Sequence, residues 1–322
     1  MKKFLIIAAA VAAVATAAAW GPWVYGGQWG APGTGNGQFY SPEDVAVAVS
    51  GNVYVADLNN QRVQYFSASG SFLGKWGTPG SGEGQFNNPR AVAAAPDGKI
   101  YVADGRNYRI QYFTGTGSFL GKWGSQGPGN GQFDDPMGVA VAPNANVYVA
   151  DTQNDRVQYF TATGSFLGKW GVWGSGWGEF DAPKGVAVAL NGTVYVTEAD
   201  NSRLQYFTPT GSFLGMWGAY GTGEGFFRKC DGVAVGPGDY VFVADTDNHR
   251  IQYFTATGSF LSNWGTRGSG NGQFNYPYGV AVSPNGFLVY VADRDNNRIQ
   301  YFYDTEYVVS PMSLGRVKAL FR

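Results

Sequence analysis

Short stretches in which apolar and polar residues alternate follow one another along the chain, separated by glycine-rich or Asp/Asn-containing segments, and sustained helical spacing is nearly absent. Residues 80–124 show the unit. A loop, Gly80-Ser81-Gly82-Glu83-Gly84-Gln85-Phe86, is closed by Asn88-Pro89, and a first strand follows over 92–95. The turn Pro96-Asp97-Gly98 leads to a second strand over 100–104, and an Asp-x-x-Asn-x-Arg segment turns the chain into a third over 109–113. Gly115-Thr116-Gly117 then gives a fourth over 119–123. Period-two alternation bounded by Gly, Pro, Asn and Asp predicts four antiparallel strands joined by tight turns.

The unit recurs. Asp57/Asn60/Arg62, Asp104/Asn107/Arg109, Asp151/Asn154/Arg156, Glu198/Asn201/Arg203, Asp245/Asn248/Arg250 and Asp293/Asn296/Arg298 are six copies, their acids spaced 47 or 48 residues apart. A fixed period of that length, four strands per period, predicts an all-β, six-bladed β-propeller of four-stranded antiparallel blades. Small Val and Ala residues on the first strand suit a crowded axis, and Tyr, Phe and Trp on the outer strands fill the wider spaces between blades. The sixth copy lacks a fourth strand after Tyr301-Phe302, while Tyr25-Gly26-Gly27-Gln28-Trp29-Gly30 aligns with the missing one. The ring is therefore expected to be closed by an N-terminal strand, which removes open sheet edges.

The motifs Gly-x-Gly-x-Gly-Gln-Phe, Pro-x-Gly-Val-Ala-Val, Val-Tyr-Val-Ala-Asp and Asn-x-Arg-Ile-Gln-Tyr-Phe resemble NHL repeats from about Tyr25 to Phe302, and Asn248-His249-Arg250 comes close to the name-giving motif. The resemblance implies a six-bladed propeller of the secreted bacterial type. Fold alone does not assign function.

Composition adds limits. The chain has 322 residues with 22 basic and 23 acidic side chains, so it lacks the basic footprint that nucleic acid requires. Met1-Lys2-Lys3, an apolar run from Phe4 to Ala19 and the small residues Ala17-Ala18-Ala19 read as a signal peptide over 1–19. That run is short for a membrane span, so the mature form is expected to have none. The protein is then exported, to the periplasm, the cell surface or the medium. Cys230 is its only cysteine, so no intrachain disulfide forms. The propeller is assigned to 20–303. The tail over 304–322, with Leu314, Val317, Leu320 and Phe321 at helical spacing, reads as a docked segment or a sorting or attachment signal.

If strands run alternately inward and outward across the disc, the glycine loops and the Asp-x-x-Asn-x-Arg turns share one face, here the upper. Six carboxylates at fixed spacing from six arginines read as turn formers and Arg partners rather than metal ligands. The glycine loops lack a following helix and read as blade connections rather than phosphate cradles. The propeller relatives implied by the resemblance include an amidating lyase and lactonase-type hydrolases. The lyase chemistry would need histidine-bound zinc at the axis, and the chain has one histidine, His249, at a variable turn position. Lactonase-like sites use Glu, Asn and Asp around a divalent ion. No nucleophile and base pair stands out, and neither catalytic residues nor a cofactor are assigned.

The copies disagree in few places. The residue after the loop proline is Glu43, Arg90, Met137, Lys184, Asp231 and Tyr278 in turn, with Asp44 a second acid in the first copy and Cys230 replacing the proline in the fifth. These positions should rim the mouth of the central channel, with Glu43 beside Arg90, Lys184 beside Asp231 and Met137 opposite Tyr278. The second set is aromatic: Trp173 and Trp177 in the fourth glycine loop, Tyr220 and Phe226 in the fifth. Exposed aromatics on adjacent loops suit contact with a protein, peptide or glycan, whereas packing between blades would bury them. The resulting expectation is a non-catalytic binding module acting through its upper face. The alternatives are a divalent-metal hydrolase resembling lactonases and a structural surface protein. Oligomeric state is left open by the sequence.

Overall fold

A computed structural model of the chain describes residues 23–304. The signal-peptide and tail assignments lie outside them, apart from Asp304, which ends a strand.

The described residues form six four-stranded antiparallel sheets, arranged as the blades of a propeller. In blade one the strands are Pro42–Val47, Val53–Asp57, Arg62–Phe66 and Phe72–Trp76, from the axis outward. The innermost strands of successive blades lie side by side around the axis. Blade six takes Pro277–Val282, Leu288–Asp293 and Arg298–Asp304 from the end of the ring and its outermost strand, Trp23–Trp29, from the beginning. Trp23 pairs with Asp304 and Trp29 with Ile299, so the expected ring closure is present.

Second strands are buried on both faces, because each blade is covered by a neighbour on either side. Each apolar cluster accordingly draws on two successive blades; Ile110 and Tyr101 of blade two, for example, share one with Val149 and Phe160 of blade three. The loop phenylalanine of every copy, such as Phe133, is fully buried in it. On the lower face a second-strand tyrosine ties most blades to the next: Tyr101 Oη donates to Ala162 O at 2.9 Å, and Tyr290 Oη to Ala68 O across the closure. Blade five has Phe242 there, and Trp23 packs edge-on against it at 5.4 Å.

Two glycine positions are fixed by space. The turn glycine Gly117, at φ +90°, lies so close to the Trp76 ring that a Cβ would overlap it. On the innermost strand, a Cβ at Gly138 would sit 2.1 Å from the carbonyl oxygen of Lys184 in the next blade. The same crowding holds at Gly185, Gly232 and Gly279, whereas blades one and two place Asp44 and Ala91 there.

Candidate functional site

The repeated Asp-x-x-Asn-x-Arg segment forms a single 3-10 turn in five of the six blades, capped by a left-handed residue. Its chemistry is structural. In blade three, Asp151 is fully buried; its Oδ2 accepts from Arg156 Nε at 2.7 Å, Asn154 Nδ2 at 3.0 Å and Gln158 Nε2 at 3.0 Å, and its Oδ1 accepts from Asp134 N at 2.7 Å. The other end of Arg156 donates to the carbonyls of Pro128, Gly129 and Gln132, pinning the glycine loop that leads into the same blade. Glu198 does the same work in blade four, with Arg203 Nε at 2.6 Å from Oε1 and Asn201 Nδ2 at 2.7 Å from Oε2. Buried carboxylates so saturated by donors have no free lone pairs directed at a ligand. Among the described residues, no group of three or more His, Cys, Asp or Glu side chains is placed to hold a metal ion.

In four of the six turns the left-handed residue clasps the next blade. Gln61 Oε1 accepts from Asn88 N, Asp155 Oδ1 from Ala182 N, His249 Nδ1 from Tyr276 N and Asn297 Oδ1 from Ser41 N, at 2.6–3.1 Å. Between blades four and five the cap is Ser202, whose Oγ is instead 3.5 Å from its own Ala199 carbonyl.

The six rim residues and Asp44 converge at the axis as expected, around a mouth of about 50 Å³. That volume holds a few waters and falls well short of the ~300 Å³ of typical small-molecule sites. Arg90 Nη1 lies 3.2 Å from Glu43 Oε1, and Lys184 Nζ pairs with Asp231 Oδ1. The acids of both pairs are buried, so these are not the solvent-exposed ion pairs of a loose entrance. Burial raises the Glu43 pKa, against the pull of Arg90 and Arg294. For Lys184, burial works against the charged form, but Asp231, Tyr278 and Glu43 together outweigh it and the pKa rises. The Tyr278 phenol is pushed up to about 12 by burial and by Asp231.

Three further residues belong to this network, and two of them, Arg294 and Asp135, are not marked out by the sequence. Arg294, at the start of the blade six turn, reaches Glu43 Oε2 at 3.2 Å and lies 4.6 Å over the Tyr278 ring. Asp135 holds the far side of Arg90 at 3.3 Å. Thr197, where most copies have Ala, donates to the Asp231 carbonyl at 2.6 Å and accepts from Gly185 N at 2.9 Å, bracing the rim from blade four. Only the Thr-for-Ala exchange was visible as a break in the repeat. Asp44 stands apart from the ion pairs: its Oδ2 accepts from Val92 N at 3.0 Å, and burial raises its carboxyl to about 7.

The loop aromatics are exposed rather than packed between blades: Trp173 73%, Trp177 76%, Tyr220 70% and Phe226 47%. Trp177 lies parallel to Phe213 at 5.8 Å, which presets the ring. Arg228 lies over Tyr220 at 5.4 Å and donates to its hydroxyl from Nε and Nη2 at 3.2 and 3.1 Å. Phe226 replaces a glutamine that, in blade three, turns back on its own loop: Gln132 Oε1 accepts from Gly129 N at 3.0 Å. The fifth loop therefore gives up an internal hydrogen bond and displays a ring.

The NHL repeat family model matches residues 39–66, 86–113, 227–254 and 274–302. The chain carries NHL repeats on a six-bladed β-propeller. Its matched segments run from the buried loop phenylalanine to the end of the third strand in blades one, two, five and six. No curated protein matches the NHL propeller. Solved structures similar to it include a streptogramin B lyase, at 15% identity and TM-score 0.60 over 83% of this chain and 94% of that one. A virginiamycin B lyase from Staphylococcus aureus aligns at 12% identity and TM-score 0.57, over 82% of this chain and 94% of that one. A protein of unknown function from Bacteroides thetaiotaomicron aligns at 14% identity and TM-score 0.66, over 86% and 76%. At such identities the likeness carries the fold and not the activity.

Proposed function

We propose that this NHL propeller is an exported, non-catalytic binding module that recognises a protein, peptide or glycan through its upper face. The observation that carries the reading is the concentration of exposed rings on two adjacent upper loops: Trp173, Trp177, Tyr220 and Phe226. Exposed aromatics gathered in one region are costly to leave in water and mark contact surfaces. They stand where other copies carry Pro, Gln, Asn, Glu or Arg, so the blade itself does not require them. The channel rim adds a mixed-charge centre at the axis, already neutralised by its own pairs.

The test uses residues the protein already tolerates. Trp173→Gln and Trp177→Asn install the side chains of blade three at the same loop positions, Gln126 and Asn130. Affinity capture from culture fluid and envelope extracts, together with a glycan array, is compared for the parent and the double variant. The parent should retain a ligand that the variant loses at least about tenfold, with melting temperature unchanged. Identical capture by both would remove the upper loops from the binding surface.

A further inference from the structure

A second recess opens on the upper face, a groove of about 510 Å³ over blade five. Its walls are Tyr220, Arg228 and Lys229 from the blade five loop, Asp247 and His249 from the blade five turn, and Arg267 and Tyr276 from the loop entering blade six. Asp200 and Ser202 of blade four close it on the other side. Its volume lies within the range of small-ligand sites, unlike the axial mouth.

The groove is built from departures from the repeat. Where Arg228 stands, blades two and six carry Asn87 and Asn275; where Lys229 stands, blade two carries Asn88; where Arg267 stands, blade three carries Gln126. Three cations have thus been gathered where other copies are neutral or, at Asp134, Asp135 and Asp181, acidic. Against them the groove has Asp200 and Asp247, three positive charges minus two negative, a balance of plus one. His249 does not add to it at neutral pH, because burial and then Arg267 hold its pKa below the ordinary value. Two of the cations are loosely engaged: Lys229 Nζ is 4.0 Å from Asp247, and Arg267 is exposed and forms no ion pair among the described residues. The Lys229 N–H also lacks the cross-blade side-chain acceptor found at the equivalent positions of blades one, two, four and six, since Ser202 turns to Ala199.

We propose that this groove binds a carboxylate-bearing saccharide, with the carboxylate between Arg228, Lys229 and Arg267 and the apolar face of the sugar ring on Tyr220. This rests on the binding-face reading above and names its ligand class. A balance of plus one complements a single negative charge, whereas a dianionic phosphate would face Asp200 and Asp247 with no cation to spare. Guanidinium groups also match the planar carboxylate in two-bond geometry. The body attached to it is assigned from the wall. Tyr220 offers a flat, preset, solvent-exposed ring in an open polar recess, which suits the C–H face of a sugar. A peptide anchor would call for a closed apolar pocket instead.

Calorimetric titration of the protein separates the possibilities, with three probes: a uronic-acid oligosaccharide, its carboxyl-reduced neutral counterpart, and an acidic peptide. The triple variant Arg228→Asn, Lys229→Asn, Arg267→Gln carries residues found at those positions in other blades, and asparagine tolerates the φ of +53° at position 229. The uronate oligomer should bind the parent at least about tenfold tighter than the neutral one, and the triple variant should lose that margin while keeping its melting temperature. Equal binding of charged and neutral sugars, tighter binding of the peptide, or an unaffected triple variant would overturn the proposal. If neither sugar binds and the Trp173→Gln, Trp177→Asn variant still loses its captured ligand, the groove proposal fails and the binding face stands.

Discussion

The Asp-x-x-Asn-x-Arg turn and the loop that enters blade five lie on the same face and differ in how the copies treat them. The turn keeps its acid, amide and arginine in every blade, and every copy spends them internally: Asp57, Asp104, Asp151, Glu198, Asp245 and Asp293 each bind their own arginine through a hydrogen bond of 2.6–2.7 Å. The fifth loop changes its proline or glutamine to Tyr220, its glutamine to Phe226, the two residues before the strand to Arg228 and Lys229, and the proline that opens the strand to Cys230. Cys230 remains a core residue, its thiol buried against the carbonyls of Glu198 and Arg203. The other four side chains are exposed. Repetition of polar residues in a propeller therefore marks the architecture, and departure from it on the surface marks what the architecture presents.

Breaking the turn should produce the larger effect. Asp151→Asn turns one acceptor oxygen into a donor facing Arg156, Asn154 and Gln158, and leaves a buried guanidinium without its counter-ion. Buried pairs add little net stability, but removing one partner costs about 3–5 kcal/mol. Denaturant unfolding should show a loss of that order, while Asp151→Glu, which copies blade four, should cost far less. A loss below about 1 kcal/mol for the asparagine would mean that the turn is not the clamp described here.

The axis offers a sharper form of the same contrast. Four blades carry glycine where blade one carries Asp44, and burial raises that carboxyl from 3.8 to about 7, against hydrogen bonds from the Val92 and Val45 N–H groups. The folded state thus holds a proton that the unfolded chain has released. The contribution of Asp44 to stability is fully present below about pH 4, declines as pH rises toward 7, and is lost above it. Asp44→Asn abolishes this titration and keeps an acceptor for Val92 N–H. Its advantage over the parent should be small at pH 4 and grow to roughly 2–4 kcal/mol by pH 8. Parallel stability profiles across that range would show that Asp44 is charged without penalty at the axis.

How much of this was legible beforehand follows from what the repeat encodes. Blade count, strand order and ring closure were readable because six aligned copies repeat each turn residue, and the absent fourth strand had one candidate, Tyr25 to Gly30, which overlaps the observed strand Trp23–Trp29. The rim was readable in composition, and the pairing of Glu43 with Arg90 and Lys184 with Asp231 followed from blade order. Their burial and the narrowness of the mouth were not, since both depend on how closely the innermost strands approach. Arg294 and Asp135 were missed because they belong to turn and loop positions that vary among the copies, and only folding carries them to the axis. The groove over blade five was missed for a similar reason: Arg228, Lys229 and Arg267 come from two loops, and Asp247 and His249 from a turn between them.

The smallest expected effect is the most direct test of whether the fifth loop trades stability for display. Phe226→Gln restores the residue of four other loops, whose amide accepts a hydrogen bond from a loop glycine three residues earlier, as Gln85 does from Gly82 at 2.9 Å. The regained bond is solvent-exposed and worth about 0.5 kcal/mol, and removing an exposed ring gives up little packing. Melting temperature should therefore hold or rise by a degree or two, while capture of the upper-face ligand falls. A destabilised variant with undiminished capture would reverse the assignment, making Phe226 part of the loop's own packing and returning this position to the architecture.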